Sequence, residues 1–186
     1  MHLVLASNSP RRRELLGRLT EEFTVIPSGI EEHGAGPPAE QAVHLARAKA
    51  RAVLERDGAV IIGADTMVVV DEEILGKPET RGEAVEMLRR LSGRDHRVLT
   101  GLCVWNTETG VERTHCEETR VSFRTIDEAE IDAYLAIGEY VDKAGAYAIQ
   151  GVAARFVSGI AGDYTNVMGL PVCRLSLLLR EVGVRL

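Results

Sequence analysis

The chain has 186 residues, 45% of them hydrophobic and 27% charged, with a net charge of −6. That is ordinary globular composition, long enough for one substantial core or two small lobes, and its acidity argues against non-specific nucleic-acid binding. No apolar run approaches the roughly 20 residues of a membrane span, and Met1-His2-Leu3-Val4-Leu5 lacks the basic start of a signal peptide, so a cytoplasmic location is expected. Cys103, Cys116 and Cys173 form neither a CxxC pair nor a metal spacing and read as reduced thiols.

In chain order, Leu3 to Ala6 is a short apolar run suited to a buried strand. Ser9 as N-cap and Pro10 at the first helical position open a helix to about Leu19, with Leu15, Leu16 and Leu19 on its apolar face. Phe23 to Pro27 reads as a strand, Gly34 to Pro38 as a loop, and Ala39 to Arg56 as a long helix with Ala42, Leu45, Ala46, Ala52 and Val53 on one side. Val60 to Ile62 and Met67 to Val70 are strand-like, separated by Gly63-Ala64-Asp65-Thr66. A turn near Asp71-Glu72-Glu73 leads to Gly76-Lys77-Pro78 and a helix marked by Ala84, Met87, Leu88 and Leu91 that stops at Gly93. His96 to Trp105 and Val111 to Phe123 form a strand pair about the turn Asn106 to Gly110. Thr125 and Glu128 have the spacing of a capping box for a helix ending near Gly138. Beyond it lie a glycine-dense segment, Gly145 to Gly169, with strand-like Arg155 to Val157, and a last helix from Leu170-Pro171 carrying Val172, Leu175, Leu178, Leu179 and Val182. Mixed strands and helices without repeat or linker predict an α/β fold over residues 1–186, with two lobes around a cleft.

Basic residues are lopsided: 19 are Arg, and the only lysines are Lys49, Lys77 and Lys143. In a chain that uses Arg so freely, the remaining lysines mark places where a compact ammonium is wanted. Ser7-Asn8-Ser9-Pro10-Arg11-Arg12-Arg13 follows a strand and starts a helix, which suits an anion, and arginine in a first turn opposes the helix dipole. Asp65 sits between Ile61-Ile62 and Met67-Val68-Val69-Val70, where a carboxylate is costly to bury unless it is paired or holds a metal; a turn aspartate beside Gly63 is the plain alternative. Glu31-Glu32 is a solvated acidic pair unless folding brings it to Asp65. Lys49 falls in step with Leu45 and Val53 on an apolar stripe, Lys77 sits in a tight Gly-Lys-Pro loop, and Gln150 offers a donor and an acceptor beside Gly151. Cations for phosphate plus carboxylates for a divalent metal make a phosphoryl-chemistry set. No GxxxxGK[ST] and no GxGxxG after a strand occurs, which removes support from P-loop and dinucleotide-binding readings.

Leu5-Ala6-Ser7-Asn8-Ser9-Pro10-Arg11-Arg12 resembles the opening signature of the Maf family of nucleotide pyrophosphatases. Ile30-Glu31-Glu32, Lys49, Gly63-Ala64-Asp65-Thr66, Gly76-Lys77-Pro78, Leu91-Ser92-Gly93, Asp142 to Tyr147, Ile149-Gln150-Gly151 and Asn166 to Pro171 match in order over nearly the whole chain. The resemblance implies a mixed central sheet flanked by helices, two lobes around a substrate cleft, a homodimer, and hydrolysis of the α–β phosphoanhydride of a nucleoside triphosphate. It implies Asp65 as the catalytic acidic residue and proton acceptor, Glu32 as a second acidic residue near the metal, and a divalent cation, Mg²⁺ or Mn²⁺, held by Glu32 and Asp65. Arg11, Lys49 and Lys77 would hold the triphosphate, alongside Ser7 and Ser9, while Arg11, Thr66 and Gln150 match positions tied to substrate choice. Asp-Thr at 65–66 with Gln150 resembles the branch that takes dTTP and UTP; Asn8 stands where many members have Gly. The competing reading is a non-catalytic nucleotide-sensing regulator of septum formation, and a phosphatase or phosphotransferase would differ in its product.

Overall fold

The computed structural model describes residues 2–30, 34–53 and 58–186. Seven strands form one mixed sheet: β1 (His2–Leu5), β2 (Phe23–Val25), β3 (Ala59–Val70), β4 (Glu73–Leu75), β5 (Asp95–Asn106), β6 (Glu112–Phe123) and β7 (Val157–Ala161). Six α-helices accompany it among the described residues: α1 (Pro10–Gly17), α2 (Pro38–Ala52), α3 (Arg81–Leu91), α4 (Glu128–Ile137), α5 (Tyr164–Met168) and α6 (Val172–Glu181). No helix among the described residues is long and apolar enough to cross a membrane.

The sheet runs β2-β1-β3-β5-β6-β7, with β4 on β3. β1 is parallel to β2 and β3; every other pairing is antiparallel. The first two crossovers step in opposite directions along the sheet, and right-handed crossovers then require α1 and α2 on opposite faces. Leu15 and Leu16 of α1 share a core with Val60, Ile62 and Val68, to which α3, α4 and α6 also contribute. Ala46 and Ala50 of α2 pack on Ala59 and Ile61 from the other side.

β3 departs most from the sequence reading. Gly63-Ala64-Asp65-Thr66 is no turn: a single 12-residue strand runs through it, paired with β5 from Val60↔Asn106 to Val69↔Arg97. The long partner hairpin supplies ladder bonds through Gly63, so the local breaker signal is overridden. The turn comes later, where Asp71 (φ 51°) and Glu72 (φ 62°) close the β3–β4 hairpin. The capping box of α4 is Asp127 with Glu130, two residues beyond the expected pair. Residues before it are committed elsewhere, the Arg124 N–H to the Phe156 carbonyl and the Ile126 N–H to the Ser92 hydroxyl. Arg155 lies in a 3₁₀ segment (Val152–Phe156) and the strand starts only at Val157. Ala52 is exposed; Lys49 and Ala50 take the buried side of α2.

Candidate active site

One edge of β3 is shared. β1 occupies it over Ala59–Ile62 and β4 over Val68–Val70, while β5 fills the opposite edge. Between β1 and β4 that edge carries no ladder partner among the described residues, and a cleft of about 730 Å³ opens there. Its walls come from residues 7–12 and 28–30 on one side and from 142–150 and 167–169 on the other. A site beyond the carboxyl end of β1, where the order of strands reverses, is where open α/β sheets bind ligands.

Asp65 lines the cleft on the α2 face. Its side chain is buried, and its Oδ1 accepts from the Lys49 Nζ at 2.6 Å. No described residue donates to Oδ2. Two glycines make this contact: a Cβ on Gly63 would stand 2.0 Å from the Ala46 carbonyl oxygen, and one on Gly101 2.1 Å from that of Ala42. Both strands present bare backbone to α2, so the helix lies close enough for Lys49 to reach Asp65. Burying two opposite charges is tolerable only with such pairing.

Thr66, the next residue, points to the opposite face. Its Oγ1 accepts from Arg12 Nη2 at 3.0 Å and lies 3.0 Å from Thr100 Oγ1 and 3.5 Å from the Gly169 carbonyl. Arg12 also donates through Nε to that carbonyl at 2.8 Å and through Nη1 to Ser7 Oγ at 3.4 Å. Arg12 therefore ties α1, β3 and the loop after α5 together, a role the sequence did not assign. Behind it, Thr100 and Asn166 are fully buried. Thr100 donates to the Asn166 carbonyl at 3.1 Å, and Asn166 Nδ2 donates to the Val98 carbonyl at 3.0 Å and to Thr119 Oγ1 at 2.9 Å.

Ser9 caps α1, accepting from the Arg12 N–H at 3.4 Å, and Ser7 Oγ accepts from the Ser9 N–H at 3.2 Å. Both hydroxyls line the cleft with Arg11. All three lysines of the chain line it too, including Lys143, to which the sequence assigned no role. Burial holds the Arg11 guanidinium below its usual pKa. Burial, then the nearby charges of Arg11 and Lys77, lower that of Lys143 against the pull of Asp142 and Glu139. An ammonium depressed by burial and by neighbouring cations, beside a half-buried guanidinium, suits an anion-binding site. Gln150 stands exposed at the mouth. Its turn is clamped by Glu139, whose carboxylate accepts from the N–H groups of Val152 and Ala153 at 3.1 and 3.4 Å. The same wall rests on Tyr147, whose hydroxyl meets His96 Nε2 at 2.8 Å; burial pushes His96 down to about 4.

Glu31 and Glu32 lie outside the described residues. Among the described residues no three His, Cys, Asp or Glu side chains cluster as a metal cage. A buried carboxylate lining a phosphate-sized cleft still fits a hard divalent cation, because Mg²⁺ is ordinarily held by one or two carboxylates together with substrate phosphate oxygens.

A family model described as "Maf-like protein" matches residues 2–182. A protein of Thermococcus gammatolerans named "dTTP/UTP pyrophosphatase" is 52% identical, covering 97% of this chain and 96% of its own. Relatives of the same name from Ruminiclostridium cellulolyticum and Pelotomaculum thermopropionicum are 44% and 48% identical, covering 100% and 97% of this chain and 98% and 96% of their own. Among solved structures, the Staphylococcus aureus Ham1 protein aligns with a TM-score of 0.47 and 13% identity, over 66% of this chain and 72% of that one.

Proposed function

The chain belongs to the Maf-like protein family, and from that premise we propose that it is a nucleoside triphosphate pyrophosphatase that converts dTTP and UTP to the monophosphate and pyrophosphate. The observation that carries the reading is the buried Asp65–Lys49 pair on the open edge of β3, inside a cleft to which Arg11, Lys77 and Lys143 also turn.

In this reading Asp65 accepts the proton of the water that attacks the α-phosphorus, and the bond to the β-phosphate oxygen breaks as pyrophosphate leaves. Lys49 orients the carboxylate through Oδ1, so that Oδ2 faces the reacting centre. Arg11, Lys77 and Lys143 bind the triphosphate and balance charge on the departing pyrophosphate. Ser7 and Ser9 hold the helix start against the phosphates. Gln150 and Thr66 meet the base. A divalent cation, Mg²⁺ or Mn²⁺, would be held by Asp65 and Glu32 and would polarise phosphate oxygens. The reading includes action in the cytoplasm as a homodimer, with residues 1–186 as one catalytic unit.

The test is to incubate the protein with Mg²⁺ and a panel of nucleoside triphosphates and to assay pyrophosphate and orthophosphate separately. Pyrophosphate from dTTP and UTP, with little from purine nucleotides, is expected. Orthophosphate instead would make the protein a phosphatase, and tight binding without either product would make it a nucleotide sensor.

A further inference from the structure

We propose that the Thr66 hydroxyl meets the nucleobase only as a hydrogen-bond acceptor, because the Thr100–Asn166 chain behind it keeps its proton inside the protein, and that this polarity selects a base edge bearing an imide N–H. The inference rests on the pyrophosphatase reading and names how the same cleft chooses its substrate.

Polarity follows from counting protons. A threonine hydroxyl has one hydrogen and two lone pairs, a carbonyl has lone pairs only, and a guanidinium only donates. The Asn166 carbonyl, an acceptor, takes the Thr100 hydrogen at 3.1 Å. In the contact of 3.0 Å between the two threonine oxygens, Thr66 must then be the donor. One Thr66 lone pair is occupied by Arg12 Nη2 at 3.0 Å. What remains for the cleft is the second lone pair. The Gly169 carbonyl at 3.5 Å is also an internal acceptor, but it lies at the limit of hydrogen-bond range and already takes the Arg12 Nε–H at 2.8 Å, so it holds the Thr66 hydrogen far less firmly than Thr100 does. In neither arrangement does Thr66 offer its hydrogen to a ligand.

The surroundings suit a base. Thr66 shares its face of the sheet with Val68 and with Val98, the partner of Val68 in β5, and these line the cleft with Ile149 and Met168. The Asp65–Lys49 pair lies on the other face. Apolar walls with few polar groups are the usual setting for an aromatic ring. Uracil and thymine carry an N3–H between two carbonyl oxygens. That hydrogen matches the acceptor of Thr66, and the exposed Gln150 amide can donate to a flanking oxygen. Cytosine brings a bare N3 lone pair to the same place, and adenine a bare N1, so each sets lone pair against lone pair.

The experiment compares UTP, CTP and 3-methyl-UTP on the wild-type enzyme, then repeats UTP and CTP on Thr100→Val and Thr100→Ser, reading kcat/KM for pyrophosphate release. UTP is expected to exceed 3-methyl-UTP and CTP by about tenfold to a hundredfold each, the size of one hydrogen bond gained or left unmade. Thr100→Val removes the acceptor that holds the Thr66 proton, so the UTP-to-CTP ratio should fall by about tenfold. Thr100→Ser restores the hydroxyl and should restore the ratio, which a merely structural role of Thr100 would not require. Equal cleavage of UTP and 3-methyl-UTP by the wild type overturns the inference whether or not the variants fold, as does an unchanged ratio in folded Thr100→Val. Failure of the wild type to cleave UTP at all would instead overturn the reading on which the inference rests.

Discussion

Replacing Gly63 with alanine tests the link between strand, helix and the Asp65–Lys49 pair most directly. The added methyl would sit 2.0 Å from the Ala46 carbonyl oxygen and 2.9 Å from the Ala50 nitrogen, both backbone atoms, where real contacts begin beyond 3.0 Å. Helix α2 or strand β3 must therefore yield by about 1 Å, since neither obstacle is a side chain that can rotate away. Lys49 is three residues from Ala46 and Asp65 is two from Gly63, so the same displacement stretches their 2.6 Å contact beyond hydrogen-bond range. Overpacking of this kind costs about 1–3 kcal/mol. At about 2–4 °C per kcal/mol for a chain of this size, melting should fall by roughly 2–12 °C. A misplacement of about 1 Å at the reacting group should lower kcat about a hundredfold. The assay is pyrophosphate release from dTTP beside calorimetric melting, with Gly17→Ala as control, because a methyl there meets nothing within 4 Å. A Gly63→Ala enzyme with wild-type melting and wild-type kcat would refute the argument that bare strand backbone seats α2 and aligns the pair.

Asp65→Asn should lower turnover of dTTP about 10²- to 10⁴-fold, the usual contribution of a general base, with an unchanged far-UV spectrum; wild-type turnover would remove Asp65 from the mechanism. Lys143→Met should raise KM for dTTP roughly tenfold with a smaller change in kcat, and the difference should shrink as salt is added; equal KM values would take Lys143 out of the triphosphate site. His96, held near 4 by burial, binds its proton more weakly in the folded chain than in the unfolded one, whose value is close to 6.5. Its contribution is thus complete above pH 6.5 and is lost as pH falls from 6.5 towards 4, by about 3 kcal/mol in all. Urea unfolding of wild type and His96→Phe should show a steeper loss for the wild type over that window, and parallel slopes would contradict it. Cys173 is exposed, whereas burial pushes Cys103 to about 12 and Cys116 to about 11. A thiol reagent at pH 8 should label one fast site per native chain, and three fast sites would show that the sheet face covering Cys103 and Cys116 opens readily.

Much of the architecture was legible in the sequence because its signals are local. Ser9-Pro10 announces the start of α1 through capping chemistry, the apolar periodicities of α3 and α6 announce their buried faces, and Asn106 to Gly110 announces the β5–β6 turn. The lysine count was informative in a less local way. Each of the three ammonium groups turned out to line the cleft, including the one to which no role had been given. The motif resemblance reached the family, and the similarity of whole chains bears it out.

Tertiary structure alone decided the rest. Gly63 looks like a breaker to a local reading, but a 12-residue partner strand keeps the chain extended through it, and helix residues Ala46 and Ala50, 17 and 13 positions earlier in the sequence, use its missing side chain as a seat. Which faces Asp65 and Thr66 present follows from strand alternation once the strand is continuous, and that puts the Asp65–Lys49 pair on one side of the sheet and the Arg12–Thr66–Thr100 network on the other. The partners of Thr66 lie 34, 54 and 103 residues away in the chain. Composition, spacing and propensity report on neighbours in sequence. The direction in which a hydroxyl can donate depends on groups brought together only when the sheet has closed around them.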